Sequence, residues 1–277
     1  MTKPRTAAEY DAKQVERVRA TCLYLATKLG DLVDELVVVG GLVPSLLIDQ
    51  TKRSVVHVGT MDLDIGLALA VLSEHRYEAL AERLREAGFE PDTNDNGNVT
   101  HQRWKIDGPP KVTLDFLIPP SQPADKGGRL RHLQSDFAAI IAPGLRLAFR
   151  DRVRIAMTGR TIRGAHARRE IWVCGPGAFV AMKALAFRVR GANKDAYDLV
   201  YMLQNYGTGI ADVAASLARL RDDPDAREAL AILDEEFTSA ESTGPICAAI
   251  FLHGNRNDES EADAWSAVRE LLETLPA

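Results

Sequence analysis

The stretch VGTMDLDIGLAL (58–69) constrains this chain more than any other. Leu63, Ile65, Leu67 and Leu69 are apolar at every second position, the period of a β-strand with one buried face. Asp62, Asp64 and Gly66 then share the opposite face. Two carboxylates so placed repel each other, and burying them without a counter-charge is costly. A strand of this kind needs a cation beside it.

A third acid follows from the same periodicity. The stretch VTHQRWKIDGPPKVTLDFLIP (99–119) predicts a hairpin turned at Asp107-Gly108-Pro109-Pro110. In its second strand Val112, Leu114, Phe116 and Ile118 alternate with Thr113, Asp115 and Leu117. If the two strands are neighbours, Asp62, Asp64 and Asp115 converge. Oxygen-only ligands of this type favour magnesium or manganese. A pair of such ions can clamp the attacking and leaving oxygens of a phosphoryl transfer. An acid on a strand can also simply face solvent, and for Asp115 both readings stand.

Upstream, ELVVVGG (35–41) predicts a short strand ending in Gly40-Gly41, followed by a short helix over 42–49 and a loop over 50–60. Glycine lets the backbone come close to a ligand, and a helix start offers unpaired amides to phosphate oxygens. Such a pair also serves strand-to-helix geometry alone. Helices are expected over 7–29 and over 73–87, the latter capped by Ser73. Residues 119–129 predict a loop, and two further strands fall around 152–163 and 169–174. From 175 onward the pattern is helical.

Composition sets the class. The chain has 277 residues, 46% hydrophobic and 26% charged, with a net charge of −5. That balance argues against a wholesale nucleic-acid coat and leaves room for a local basic groove. Cys22, Cys174 and Cys247 form no CxxC pair, so no disulfide framework or zinc site is expected, and a reducing cytoplasm is the natural compartment. The charged start MTKPRTAAEYDAKQVERVR does not read as a signal peptide, and no apolar run approaches the roughly 20 residues of a membrane span.

In GPGAFVAMKALAFRVRG (175–191) the residues Phe179, Met182, Ala186 and Val189 form one helical stripe. Lys183 stands where that stripe calls for an apolar residue, so it either snorkels or faces an anion. In NKDAYDLVYML (193–203) Asp195 and Asp198 share a helix face. Asn193 as N-cap, with acids offsetting the macrodipole, accounts for both without any function.

Taken in order, Gly40-Gly41, a helix, Thr60-Met61-Asp62-Leu63-Asp64-Ile65 and the strand acid Asp115 resemble the DNA polymerase β-type nucleotidyltransferase superfamily. That pattern is a Gly-Gly or Gly-Ser turn, a helix, a hydroxyl residue, an acid-hydrophobic-acid strand and a later third acid. Lys183 in a helix, then Arg188 or Arg190, then KDAYDL, are similar to the second pair of motifs in AbiEii-type nucleotidyltransferases, the toxins of type IV toxin–antitoxin and phage-abortive systems. The resemblance covers residues 35–203. It implies an α+β fold, with a polymerase β-like nucleotidyltransferase domain on a mixed sheet over 1–172 and a helical bundle domain over 173–277. It also implies a nucleoside triphosphate substrate, magnesium or manganese, an RNA acceptor such as tRNA, and a cognate antitoxin. Carried over position by position, Gly40, Gly41, Thr60 and Lys183 bind the nucleotide. Asp62, Asp64 and Asp115 are metal ligands, and Lys183 and Asp195 join them as catalytic residues.

One local feature suits an anionic acceptor. Between Arg146 and Glu170 stand eight arginines against the two acids Asp151 and Glu170, and Arg152, Arg154 and Arg163 are the candidates for RNA contact. Solvated strand arginines explain the run equally well. A small-molecule acceptor, or a non-catalytic relative that binds RNA or a partner, stay open as alternatives. His57 lies near the carboxylate strand, within reach of a substrate, but as a lone loop histidine it is expected to be exposed. His101, His132 and His253 lack any metal-ligand spacing.

Overall fold

A computed structural model of the protein describes residues 4–68, 74–94, 96–108 and 110–275. Leu69, the Ser73 cap and Pro109 of the predicted turn lie outside the described residues. The strands are β1 (Leu36–Val39), β2 (Asp62–Leu67), β3 (Phe89–Thr93), β4 (Val99–Ile106), β5 (Val112–Ile118), β6 (Leu130–Gln134), β7 (Phe137–Ile141), β8 (Arg152–Arg160) and β9 (His166–Cys174). Among them lie α1 (Ala12–Lys28), α2 (Val43–Leu47), α3 (Glu74–Glu86) and α4 (Leu145–Arg150). Six helices follow: α5 (Pro176–Arg190), α6 (Asn193–Asn205), α7 (Ile210–Ala218), α8 (Pro224–Glu236), α9 (Thr243–His253) and α10 (Asp258–Thr274). No described helix is long and apolar enough to cross a membrane.

The strands form one mixed sheet in the order β3-β4-β5-β2-β1-β9-β8, with the β6–β7 hairpin joined through β7 to the end of β5. β2 runs antiparallel to β1 and parallel to β5. Alternation decides the faces as expected: Leu63, Ile65 and Leu67, with Val112, Leu114, Phe116 and Ile118, are buried. Their apolar side packs into the core and leaves the acids of both strands on the other side. Gln14 of α1 ties the sheet down, its side-chain amide donating to the carbonyls of Met61 and Lys111 at 3.2 Å each.

The sequence reading lacked β3, β6, β7 and α4. β3 (FEPDT) is an edge strand whose register breaks between Pro91 and Thr93, where a missing N–H is tolerated. The helix over 7–29 begins later, at Ala12, because Asp11 caps it by accepting from the Lys13 amide at 2.9 Å. Asn193 is the first residue of α6 instead of its cap. Ala192 takes that place and offers no side-chain bond.

The stripe of α5 is corrected in its direction. Val189 is 69% exposed and Met182 and Ala186 are half-buried, whereas the neighbouring faces of the helix are buried against α6, α7 and α8. The stripe looks into a cleft, and Lys183 is buried at the edge of it.

Candidate active site

Strand register builds the acidic wall of the cleft. Val39, the last residue of β1, pairs with Asp64, and Asp64 pairs with Asp115 across the parallel β2–β5 ladder. The carboxylates of Asp62, Asp64 and Asp115 each offer an oxygen, and these atoms lie within 4.8 Å of one another. Asp115 is also opposite Arg103 on β4. The guanidinium reaches it in a fork, Nε to Oδ1 at 2.7 Å and Nη2 to Oδ2 at 2.5 Å. Those hydrogen bonds, with Asp62 and Asp64 nearby, hold Arg103 above its ordinary range. Arg103 is thus one cation that the opening strand called for.

The glycine turn is shaped by what it touches. Gly40 has φ +72°, and a Cβ there would sit 2.0 Å from Asp64 Oδ2. Only glycine can occupy that position without displacing the carboxylate. A Cβ on Gly41 would come within 3.0 Å of Thr60 Cβ and 3.1 Å of its Oγ1. Thr60 is buried and donates to Asp62, to Oδ1 at 3.0 Å and to the carbonyl at 3.1 Å. The helix after the turn spans only five residues and has a proline in its first turn. Its dipole is correspondingly small, and the turn contributes bare backbone instead of a helix start.

Two helices supply the opposite wall. Lys183 of α5 donates to Asp195 Oδ1 at 3.0 Å and lies 2.6 Å from Asp198 Oδ2 as an ion pair. Arg190 forks onto Asp195 at 2.6 and 2.7 Å. Lys194 donates to Asp198 Oδ1 at 2.5 Å. Burial works against the charges of Lys183, Asp195 and Asp198, yet their mutual attraction wins: Lys183 is held above its usual range and both aspartates below theirs. For Lys194 burial dominates and its ammonium lies below the lysine range.

His57 is a second correction. It is buried, not exposed, and Nε2 lies 2.9 Å from Asp198 Oδ1. Its Nδ1 accepts from the Gly59 amide at 3.0 Å, which leaves Nε2 as the nitrogen that carries the proton. Burial pushes the imidazole down to about 4 against the pull of Asp198, and protonating Nδ1 would break the Gly59 bond.

The cleft between the walls has a volume of about 910 Å³. Gly40, Gly41, Thr60, Asp62, Asp64, Asp115, Lys183 and Asp195, all singled out in the sequence, line it together. Arg152, Arg154 and Arg163 do not figure among its described lining residues. The Arg152 guanidinium lies 4.1 Å from the centre of the Trp172 ring, Arg154 pairs with Glu170 at 2.9 Å, and Arg163 lies 6.0 Å over Tyr24 of α1. Other arginines of the run are spent on ion pairs, Arg150 with Asp222 at 2.7 Å and Arg146 with Asp225 at 3.9 Å.

Sequence reasoning missed Arg103, Lys194, Asp198 and His57. Asp198 had a signal, since it interrupts the buried face of α6 that also carries Leu199 and Met202. Arg103 had none: counting outward from a turn at 107–110 puts Gln102 opposite Asp115, and the loop's one further residue, Lys111, moves Arg103 into that place. Lys194 had a signal in its i,i+4 spacing to Asp198 on α6, whereas His57 had none, because its partner lies 141 positions away.

An acid-hydrophobic-acid strand beside a glycine turn thus faces a basic helical wall across one cleft. The model of one family, the nucleotidyl transferase AbiEii toxin of type IV toxin–antitoxin systems, matches residues 25–275, and the chain belongs to this family. Curated proteins include no significant match to it.

Proposed function

We propose that the chain transfers a nucleotide from a nucleoside triphosphate to a hydroxyl of RNA, with tRNA as the acceptor class, in a magnesium- or manganese-dependent reaction in the cytoplasm. In this reading residues 1–172 are a polymerase β-like domain and 173–277 a helical bundle, with the substrate between them. A cognate antitoxin is the partner that family membership suggests.

The observation that carries the reading is the convergence of Asp62, Asp64 and Asp115 within 4.8 Å, opposite Lys183 and Arg190. An all-oxygen donor set of this size suits a hard divalent cation. Bound there, such an ion would supply charge neutralisation on the transferred phosphoryl group. The chain's own residues do the rest. Gly40-Gly41 let the phosphates approach the backbone, and Thr60 fixes the carboxylate of Asp62. Arg103 orients Asp115, while Lys183 and Arg190, anchored by Asp195, present positive charge to the triphosphate. Because these groups are already locked in ion pairs, little reorganisation accompanies the reaction.

RNA as acceptor is supported by the outward face of the β8–β9 hairpin. Arg154 pairs with Trp172 across the strands, and both Arg152 and Arg154 lie over the indole, at 4.1 and 5.5 Å. Two guanidinium groups held over this half-buried indole suit contact with phosphates. Incubation with each α-labelled nucleoside triphosphate, magnesium and total tRNA tests the proposal. Label is expected on RNA with at least one nucleotide, and none with Asp62→Ala. Wild-type protein that labels no RNA but labels a small hydroxylated acceptor would overturn the RNA reading.

A further inference from the structure

Lys194, in the KDAYDL stretch but given no role there, lies beside the glycine turn. A Cβ on Gly41 would come within 3.2 Å of its Nζ and within 3.1 Å of Thr60 Oγ1. The ammonium and the hydroxyl therefore both sit next to the point where the turn's backbone is bare. Both line the cleft.

The head of this lysine is held. Nζ donates to Asp198 Oδ1 at 2.5 Å and lies 5.5 and 5.9 Å from the ring centres of Tyr10 and Phe251. Asp198 is gripped in turn by Lys183 at 2.6 Å and by His57 Nε2 at 2.9 Å. His57 is fixed by the Gly59 amide and by the rings of Tyr197 and Tyr201, 5.4 and 4.8 Å away. A long flexible side chain is thereby aimed by a carboxylate that is itself aimed. One bond to Asp198 uses one of three ammonium donors, leaving two for an anion.

We propose that Lys194 is a catalytic residue that contacts the pyrophosphate as it leaves, with Asp198 and His57 as the positioning residues that aim it. This rests on the nucleotidyltransferase reading. In the transfer the acceptor oxygen bonds to the α-phosphorus, and the bond from that phosphorus to the α–β bridging oxygen breaks. The electron pair stays on the bridging oxygen, while the acceptor's proton passes to solvent. Negative charge grows on the departing group, and Lys194 donates a hydrogen bond to it. A preplaced donor stabilises that charge without having to reorganise. Lys194 keeps its bond to Asp198 meanwhile, and Lys183 also balances the charge of that carboxylate.

Inorganic pyrophosphate with magnesium, titrated calorimetrically, tests this without knowledge of the acceptor. Lys194→Met is expected to weaken pyrophosphate binding at least about tenfold and to lower kcat on total tRNA by about a hundredfold. Folding survives, because Asp198 retains Lys183 and His57, and unchanged melting checks it. Lys194→Arg keeps the charge and should recover part of the pyrophosphate binding. His57→Gln places an amide nitrogen where Nε2 stands and keeps the bond to Asp198, whereas His57→Asn reaches only Gly59. The glutamine variant is expected to hold kcat and the asparagine variant to lose it, with nucleotide KM little changed in both. Pyrophosphate binding and kcat at wild-type levels in Lys194→Met, or equal kcat in the two His57 variants, would overturn the proposal. Wild-type protein that binds neither pyrophosphate nor any of the four nucleoside triphosphates would instead remove the transferase reading beneath it.

Discussion

His57 Nε2 lies 2.9 Å from Asp198 Oδ1 although 141 positions separate the two residues in the chain. The bond joins the loop that leads into β2 to the helix that carries the basic wall. Two residues beyond His57 comes Gly59, then Thr60, then the carboxylate strand. The acidic and basic walls are therefore registered to one another through a buried imidazole, with Tyr197 and Tyr201 bonding the same loop. That link makes stability and chemistry depend on the same few groups.

The imidazole gives a signed pH dependence. Burial lowers His57 from 6.5 to about 4 in the folded protein, so between these values the unfolded chain binds the extra proton. Stability is fully present above pH 6.5 and is lost as pH falls toward 4, by on the order of 3 kcal/mol. Urea titrations at pH 7 and pH 4.5 measure the loss. His57→Gln, which cannot titrate, is expected to show a much smaller one.

The carboxylate pair should respond to metal. Asp62→Ala and Asp64→Ala are expected to abolish nucleotide transfer while the chain stays folded, because both side chains lie at the cleft and not in the core. Magnesium should raise the wild-type melting temperature and leave that of the double variant unchanged. Equal shifts in both proteins would remove the metal assignment.

Gly40 tests the turn. Its φ of +72° disfavours any side chain, and a Cβ would overlap Asp64 Oδ2 at 2.0 Å. Gly40→Ala is expected to lose about 1–3 kcal/mol of stability, seen in a urea midpoint, together with the magnesium shift. Gly41→Ala has contacts of 3.0 Å and more and should destabilise far less.

Lys183 is the costliest charge to remove. It meets two buried aspartates, Asp195 at 3.0 Å and Asp198 at 2.6 Å. The apolar stripe invites methionine there, yet Lys183→Met leaves those carboxylates with fewer cations in a buried setting. A loss of about 3 kcal/mol is expected in equilibrium unfolding, along with weakened triphosphate binding. Wild-type stability in the variant would show that Arg190 and Lys194 suffice.

Arginine substitutions separate acceptor from donor. Replacing Arg152 and Arg154 by glutamine should reduce the slope of log affinity for RNA against log salt by about one to two. Triphosphate affinity should hold, since neither residue is among those lining the cleft. Arg163 packs over Tyr24 on the α1 side, so Arg163→Gln is expected to change the slope less. Salt-insensitive RNA binding would contradict the electrostatic role.

Periodicity made the faces of β2 and β5 legible, because a strand's side chains alternate whatever surrounds it. Leu63, Ile65, Phe116 and Ile118 had to point one way, and Asp62, Asp64 and Asp115 the other. The order of glycine turn, acid pair and later acid was likewise readable along the chain. The edge strand β3 was not, since only pairing with β4 makes its short, proline-containing stretch a strand. Beyond the i,i+4 pair of Lys194 and Asp198, local pattern could not say which cations answer the acids. Arg103 meets Asp115 because a hairpin register places it there, and Lys183 meets Asp198 because α5 packs on α6. His57 was readable only as a loop residue, since its burial depends on Tyr197 and Tyr201 far along the chain. Local sequence determines which side a residue faces. Which charge waits on that side is decided by contacts between segments that sequence spacing does not encode.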